Sequence, residues 1–358
     1  MGISRVLCIM GIVYVHAWTG LYGPSLSALA DTPQGLLRWG LIELLGRSSV
    51  PLLSMISGWL VGPSLARRGW RRFLAGKVRA VLVPMVAWNL IAIVVVSGAA
   101  LAGWLYAPHP EALNLAALDW LANELLAFRA PNEINVQMPF LRDLFVCLVA
   151  APLLVRARTP LLGAIALMAL VWSLFAGGLP WGFYVLQRPS ILAFFVLGML
   201  ARRGDLAARV GGWPLGGLVL PYLAMAGLKI WLEVFDAAEE AAHPLVFALA
   251  DLAMRAATAL CFWALAWRLA GEGRMERLGD GLLRAEPYVF LMFCAHLILI
   301  WCAGPAIGQI TGPLGAPAYP LFLLGQPVLA LGGAVVLGQA LRRVHPGLAR
   351  VLSGGRLE

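Results

Sequence analysis

Ten apolar stretches divide this chain of 358 residues, at approximately 6–26, 35–65, 80–103, 137–155, 159–177, 189–201, 213–234, 246–270, 287–305 and 319–341. A helix of about 20 apolar residues crosses a bilayer core, and only a helix or a closed barrel satisfies its own backbone there. The composition agrees: 61% of residues are hydrophobic and 13% charged, against about 25% charged in a soluble domain. The sequence therefore predicts an all-α polytopic membrane protein with a bundle of about ten transmembrane helices. No long polar stretch splits the chain, so a single integral domain is expected over 1–345, followed by a short basic cytoplasmic tail over 346–358. The sixth stretch is short and is expected to extend back through Trp181 to Tyr184; the second is long and can bend at Pro51 or Gly58.

Basic residues alternate from one connection to the next. Arg5, then Arg67, Arg68, Arg71, Arg72, Lys77 and Arg79, then Arg156 and Arg158, Arg202, Arg203 and Arg209, Arg268 to Arg284, and Arg342 to Arg356 all fall on one side. The other side holds only Arg38, Arg129 and Arg188, and leans acidic with Asp31, Glu111, Asp119, Glu124 and Glu133. The positive-inside rule then predicts that both termini are cytoplasmic. The same asymmetry accounts for most of the net charge of +9, so no nucleic-acid partner is expected. The loop around 104–136 is expected to form a short interfacial helix and then a turn at Pro131-Asn132. The N-terminus loosely resembles a secretory signal before Asp31, but Gly20, Gly23 and Pro24 lengthen the spacer, and the first helix is expected to be retained.

Chemistry that needs a metal or a nucleotide finds little support. Cys8, Cys147, Cys261, Cys294 and Cys302 lie in apolar stretches without a CxxC pair, and no Walker A, GxGxxG or HExxH pattern occurs. Within the spans, Glu43 and Arg47, Lys229 and Glu233, and Asp251 and Arg255 are spaced i,i+4, which suits structural ion pairs on one helix face. Arg142 and Asp143 are adjacent. They are expected to point to different faces and to find partners on other helices, which makes them site candidates. His16 follows Arg5 on the first helix. A rise of about 1.5 Å per residue puts roughly 16 Å between them, about half the bilayer core. An imidazole at that depth is costly and can act as a base toward a hydroxyl. His296 lies in a span too and reads more simply as a buried, satisfied ring. The densest cationic cluster, Arg67 to Arg79, suits either anionic lipid or a polyanionic cytoplasmic ligand.

Four segments resemble the membrane-bound acyltransferase-3 family, in the branch that O-acetylates sugars and exopolysaccharides. Arg5 to His16 is similar to that family's R-x10-H. Val50-Pro51-Leu52-Leu53-Ser54-Met55-Ile56-Ser57-Gly58-Trp59 is similar to V-P-x-F-F-x-x-S-G-F, with Leu53 and Ser54 replacing two aromatics. Arg68-Gly69-Trp70-Arg71 resembles its RxxR, followed by Arg79, Pro84 and Trp88. Phe140-Leu141-Arg142-Asp143-Leu144 resembles W-F-L-R-D-L, with Pro139 in place of the Trp. Weaker echoes are Phe194 to Gly198 and Tyr288 to His296.

The resemblance implies a multi-pass enzyme of the bacterial inner membrane. It would transfer an acyl group, with acetyl-CoA as donor and no metal, to a hydroxyl of a cell-envelope or extracellular polysaccharide or its lipid-linked precursor. Acyl-CoA, a glycan or lipid-linked glycan, and membrane lipid would be its partners. His16 would serve as base, with Arg142 and Asp143 as further catalytic candidates. Arg5, Arg68, Arg71, Arg72, Lys77 and Arg79 would hold the phosphates of the donor. A succinyltransferase of a periplasmic glucan and a non-enzymatic flippase for a lipid-linked sugar are the alternatives.

Overall fold

The structure is a computed structural model that describes residues 1–16, 32–102, 117–175, 185–235, 243–271 and 276–357. Among the described residues it is mostly helical, without strands. Helix α1 (Gly2–Val13) ends in a 3-10 turn, Tyr14–His16. Helix α2 (Pro33–Gly40) is capped by the Thr32 hydroxyl, which accepts from the Gly35 amide, and runs into a π-helical turn, Leu41–Arg47. Helix α3 (Ser49–Lys77) bends at Gly69, whose backbone is non-helical, and a second π-helical turn, Val78–Leu82, joins it to α4 (Val83–Leu101). Helices α5 (Leu118–Leu126), α6 (Pro139–Arg156), α7 (Thr159–Phe175), α8 (Pro189–Arg203) and α9 (Leu206–Gly211) follow. The chain ends with α10 (Leu215–Ile230), α11 (Pro244–Leu269), α12 (Glu276–Thr311), α13 (Tyr319–Val344) and α14 (Pro346–Leu352).

Among the described residues, five helical runs are long and apolar enough to cross a membrane: Pro33–Leu101, Leu215–Glu233, Pro244–Leu269, Glu276–Ile300 and Tyr319–Val344. Gly2–His16 and Thr159–Phe175 are apolar but shorter. The expected backward extension through Trp181–Tyr184 lies outside the described residues, as do Asp31, Glu111 and Arg274. The expected bend near Pro51 or Gly58 is instead placed at Gly69, where φ is 66°. Pro51 sits in the first turn of α3, where its missing N–H costs nothing. Large apolar side chains exposed along α4, α7, α10 and α13, such as Val94, Leu167, Leu220 and Val328, suit contact with lipid.

Helix packing centres on α3 and α8, which touch over the longest stretch; α7 covers the far side of α8, α1 packs on α12, and α10 on α11. The α3–α8 contact is a meeting of backbones. A Cβ on Gly58 would lie 1.8 Å from the Phe195 carbonyl oxygen, and one on Gly198 would lie 2.0 Å from that of Met55. Small residues at such crossings let dispersion forces act at short range, the main attraction between helices in lipid. This gives the S-G pair of the Val50–Trp59 segment a packing reason.

The segment beyond α13 folds back on the bundle. Leu352 and Leu357 are buried, and the Trp88 indole N–H donates to the Leu352 carbonyl at 3.0 Å. Gly354 (φ 62°) and Gly355 (φ 80°) supply the left-handed turn that this requires. The result is that the Arg356 side chain, though exposed, lies over the Phe290 ring of α12.

Gly58→Ala and Gly198→Ala should each cost about 3 kcal/mol, the upper end for overpacking. Gly62→Ala, where an added Cβ meets open space, should be near neutral. Thermal unfolding of the detergent-solubilised protein would check this; equal melting temperatures for all three would refute the backbone contact.

Candidate active site

His16 is carried to the end of α1 by the 3-10 turn and opens onto a cavity of about 510 Å³. The turn packs against the π-helical segment, and α3, α6, α7, α8, α11 and α12 contribute to the wall. The polar lining includes Arg47, Gln137, Ser173, Gln187, Arg188, Ser190, Asp251 and Arg255. His296 lies behind, its ring centroid 5.2 Å from that of His16. The Nδ1 of His296 is 2.8 Å from the Phe293 carbonyl. A carbonyl only accepts, so Nδ1 carries the proton and Nε2 keeps a lone pair. That Nε2 is buried and has no partner among the described residues. The sequence reading treated His296 as a packed ring. Its i−3 carbonyl bond fits that reading, but its place beside His16 could not be read from a separation of 280 residues.

A second cavity, about 100 Å³, lies three helical turns back along α1 and is lined by Arg5, Ser57, Glu286 and Arg356 among apolar residues. Arg5 pairs with Glu286 at 3.0 Å, and Arg356 stacks over the Phe290 ring at 3.9 Å. Burial and the nearby Arg5 charge push the Arg356 guanidinium down to about 10, so it stays cationic at neutral pH. Lys77 is close enough to feel the charges of Arg356, Arg5 and Arg68. Two rings, Phe140 of α6 and Phe293 of α12, line both cavities. They meet edge-on, with centroids 5.8 Å apart and planes at 64°. Among the lining residues, they are what divides the space around His16 from the space around Arg5.

The remaining cationic candidates lie outside both cavities. Arg68, Arg71, Arg72 and Arg79 are exposed, and Arg71 sits over the Trp70 ring at 5.5 Å. Lys77 is half-buried, its ammonium 5.4 Å from the Phe73 ring.

Arg142 and Asp143 do not diverge to separate partners as expected. Asp143 is fully buried and accepts from Arg142 Nη1 at 2.6 Å. The same carboxylate accepts the backbone N–H groups of Gln187 at 3.2 Å and Arg188 at 2.8 Å. Arg142 also donates to the Val185 carbonyl at 2.8 Å. Adjacent helical side chains can converge when both are aimed at a third segment, here the strand of backbone before α8. Neither residue lines the cavity. Their visible task is to fix the segment that presents Arg188.

The three i,i+4 pairs form, with Glu43–Arg47 at 3.1 Å, Lys229–Glu233 at 3.0 Å and Asp251–Arg255 at 2.6 Å. They also merge: Lys229 reaches Asp251 at 2.6 Å and Glu43 at 3.4 Å. Helix α5 confirms the expected short helix in its loop, and buried Glu124 ties it down by accepting from the amides of Glu133 and Ile134. Among the described residues no group of His, Cys, Asp and Glu could hold a metal ion.

Asp143→Ala should destabilise by about 3–5 kcal/mol, since it strands a buried guanidinium. Replacing both residues, as Arg142→Met with Asp143→Leu, should cost less than the sum of the single changes. A double-mutant cycle on unfolding in detergent measures that coupling; simple additivity would refute the pair.

Residues 2–339 match the acyltransferase domain of the acyltransferase-3 family. The succinoglycan biosynthesis protein ExoH of Rhizobium meliloti (strain 1021) is 30% identical over 369 aligned positions, covering 99% of this chain and 92% of the relative. No solved structure matches. With the match running almost from end to end, the chain belongs to the acyltransferase-3 family, as a multi-pass membrane member.

Proposed function

We propose that this protein transfers an acyl group, acetyl from acetyl-CoA, to a hydroxyl of an exopolysaccharide or its lipid-linked precursor at the bacterial inner membrane. One observation carries the reading: Arg5 and His16 lie on a single helix and open onto two cavities that share Phe140 and Phe293. Both termini are cytoplasmic in this reading and about ten helices span the bilayer, so the Arg5 cavity faces the inner side. Coenzyme A is a polyanion confined to the cytoplasm. Its phosphates would meet Arg68, Arg71, Arg72, Lys77 and Arg79 at the surface, with Arg5 at the mouth of the cavity; guanidinium groups grip phosphate through paired N–H donors. The thin pantetheine arm would pass between the two phenylalanine rings and present the thioester near His16.

The acceptor hydroxyl enters the larger cavity from the opposite side. His16 removes its proton as the oxygen attacks the thioester carbonyl. Collapse of the tetrahedral adduct breaks the C–S bond, and the proton held on His16 passes to the departing thiolate, giving an ester and free coenzyme A. Holding both reactants in a cavity poor in water supplies much of the rate. Relatedness to a protein named for succinoglycan biosynthesis supports a polysaccharide acceptor.

His16→Ala should lower glycan acylation by at least ~100-fold, the usual scale for a lost general base. Arg68→Ala should lower it through a raised KM for the donor. Ester content of isolated polysaccharide, normalised to inserted protein, reads both; wild-type acylation in the two variants would reject the assignment, and glycan export without coenzyme A release would favour a flippase. Phe140→Ala should raise thioester hydrolysis severalfold in membranes given acetyl-CoA and no acceptor, because the partition that keeps water from the thioester is opened. Unchanged or reduced hydrolysis would argue against a path between the rings.

A further inference from the structure

Among the described residues, the charges around the His16 cavity do not balance. Four cations, Arg47, Arg188, Lys229 and Arg255, face three carboxylates, Glu43, Glu233 and Asp251. Three of the cations are paired within this set. Arg188 is the remainder: its guanidinium makes no hydrogen bond and no ion pair among the described residues. The nearby Asp143 is already committed to Arg142 and to the amides of residues 187 and 188. Arg188 is exposed to the open cavity, and the segment bearing it is pinned from three directions, by Asp143, by Arg142, and by the Gln187 side-chain Nε2, which donates to the Ala127 carbonyl at 2.6 Å. A guanidinium without a protein partner, held in place at a cavity wall by its anchored backbone, is arranged to meet a ligand.

We infer that Arg188, with Ser190 beside it on the cavity wall, binds a single carboxylate carried by one of the reactants. The excess of one positive charge matches one monoanion. A diphosphate would bring at least two charges, leaving one uncompensated. Arg47 and Arg255 lie near enough for their fields to reach Arg188, which sharpens selection for an anion. Two carriers fit the chemistry: the carboxylate of an acidic sugar in the acceptor, compatible with acetyl transfer, or the far carboxylate of a dicarboxylic monoacyl group such as succinyl, which would replace acetyl as the transferred group. The site rests on geometry alone. Only the naming of the two carriers rests on the acyl-transfer reading.

The test reads binding without turnover, so it can fail while acyl transfer stands and hold while transfer fails. The purified full chain in lipid nanodiscs is titrated with succinate and with glucuronate, and with the neutral analogues succinamide and glucose, at constant ionic strength. Thermal stabilisation reports occupancy. At least one carboxylate should bind about tenfold or more tightly than its neutral analogue, and Arg188→Gln should remove that advantage while Arg188→Lys keeps part of it. A response to succinate assigns the carboxylate to the acyl group, a response to glucuronate assigns it to the acceptor, and a response to both establishes the shared group. If neither carboxylate outbinds its neutral analogue in the wild-type protein, the inference is overturned whatever the variants do. A folded Arg188→Gln protein that binds as the wild type does would overturn it equally.

Discussion

The cost of an ion in an apolar bundle organises this molecule. Each charge buried between helices must meet an opposite charge, a set of hydrogen-bond donors, or a ligand. The Lys229 hub shows the first solution, a single ammonium on α10 joining Glu43 of the π-helical segment, Glu233 just beyond the end of α10, and Asp251 of α11. Asp143 shows the second, with a guanidinium and two backbone amides around one carboxylate. These contacts link helices far apart in sequence, so the polar residues that look like liabilities in a hydropathy profile are what fix the relative positions of the spans. Once those pairings are assigned, the cations that remain at cavity walls acquire meaning.

The second organising element is apolar. Phe140 and Phe293 approach edge to face, an arrangement aromatic quadrupoles favour. A wall of two side chains can part by rotamer changes without moving a helix, whereas backbone would have to unfold. The α3–α8 contact, with carbonyls against glycines, is of the other kind and has no such latitude. The bundle thus combines a rigid seam on one side of α3 with a movable partition between its two cavities.

Much of this was legible in the sequence, and the rest was not, for physical reasons. Apolar runs and the i,i+4 pairs are local patterns, and local patterns survive folding in lipid because each span must satisfy its own backbone. The spacing from Arg5 to His16 is local as well, and three turns of one helix carry it directly into two cavities. His296, Arg188 and Arg356 are different. Their importance lies in what stands next to them, across hundreds of residues, and no periodicity announces it. Arg142 and Asp143 mark the boundary. Their chemistry was noticed, but adjacency suggested divergent partners, and only the segment before α8 explains why they converge.

Arg356 shows how tertiary placement can turn an ordinary basic tail residue into part of a cavity. Its backbone amide is held by the Ser353 hydroxyl at 3.2 Å, and its guanidinium donates to the Ser353 carbonyl at 3.0 Å. The side chain then lies over Phe290, beside the Arg5–Glu286 pair. The Glu286 carboxylate pairs with Arg5 and its field reaches Arg356, and Lys77 lies near enough to feel both guanidinium groups. The aromatic face repays part of the desolvation that burial exacts, and dispersion along the flat guanidinium adds to it. A polyanion arriving at this cavity would neutralise a repulsion that the folded protein otherwise carries. The C-terminal turn, the bend at the end of α3 and the start of α1 would therefore be drawn together by the same ligand. That coupling needs no moving domain, because three separate stretches of chain already share an excess of positive charge.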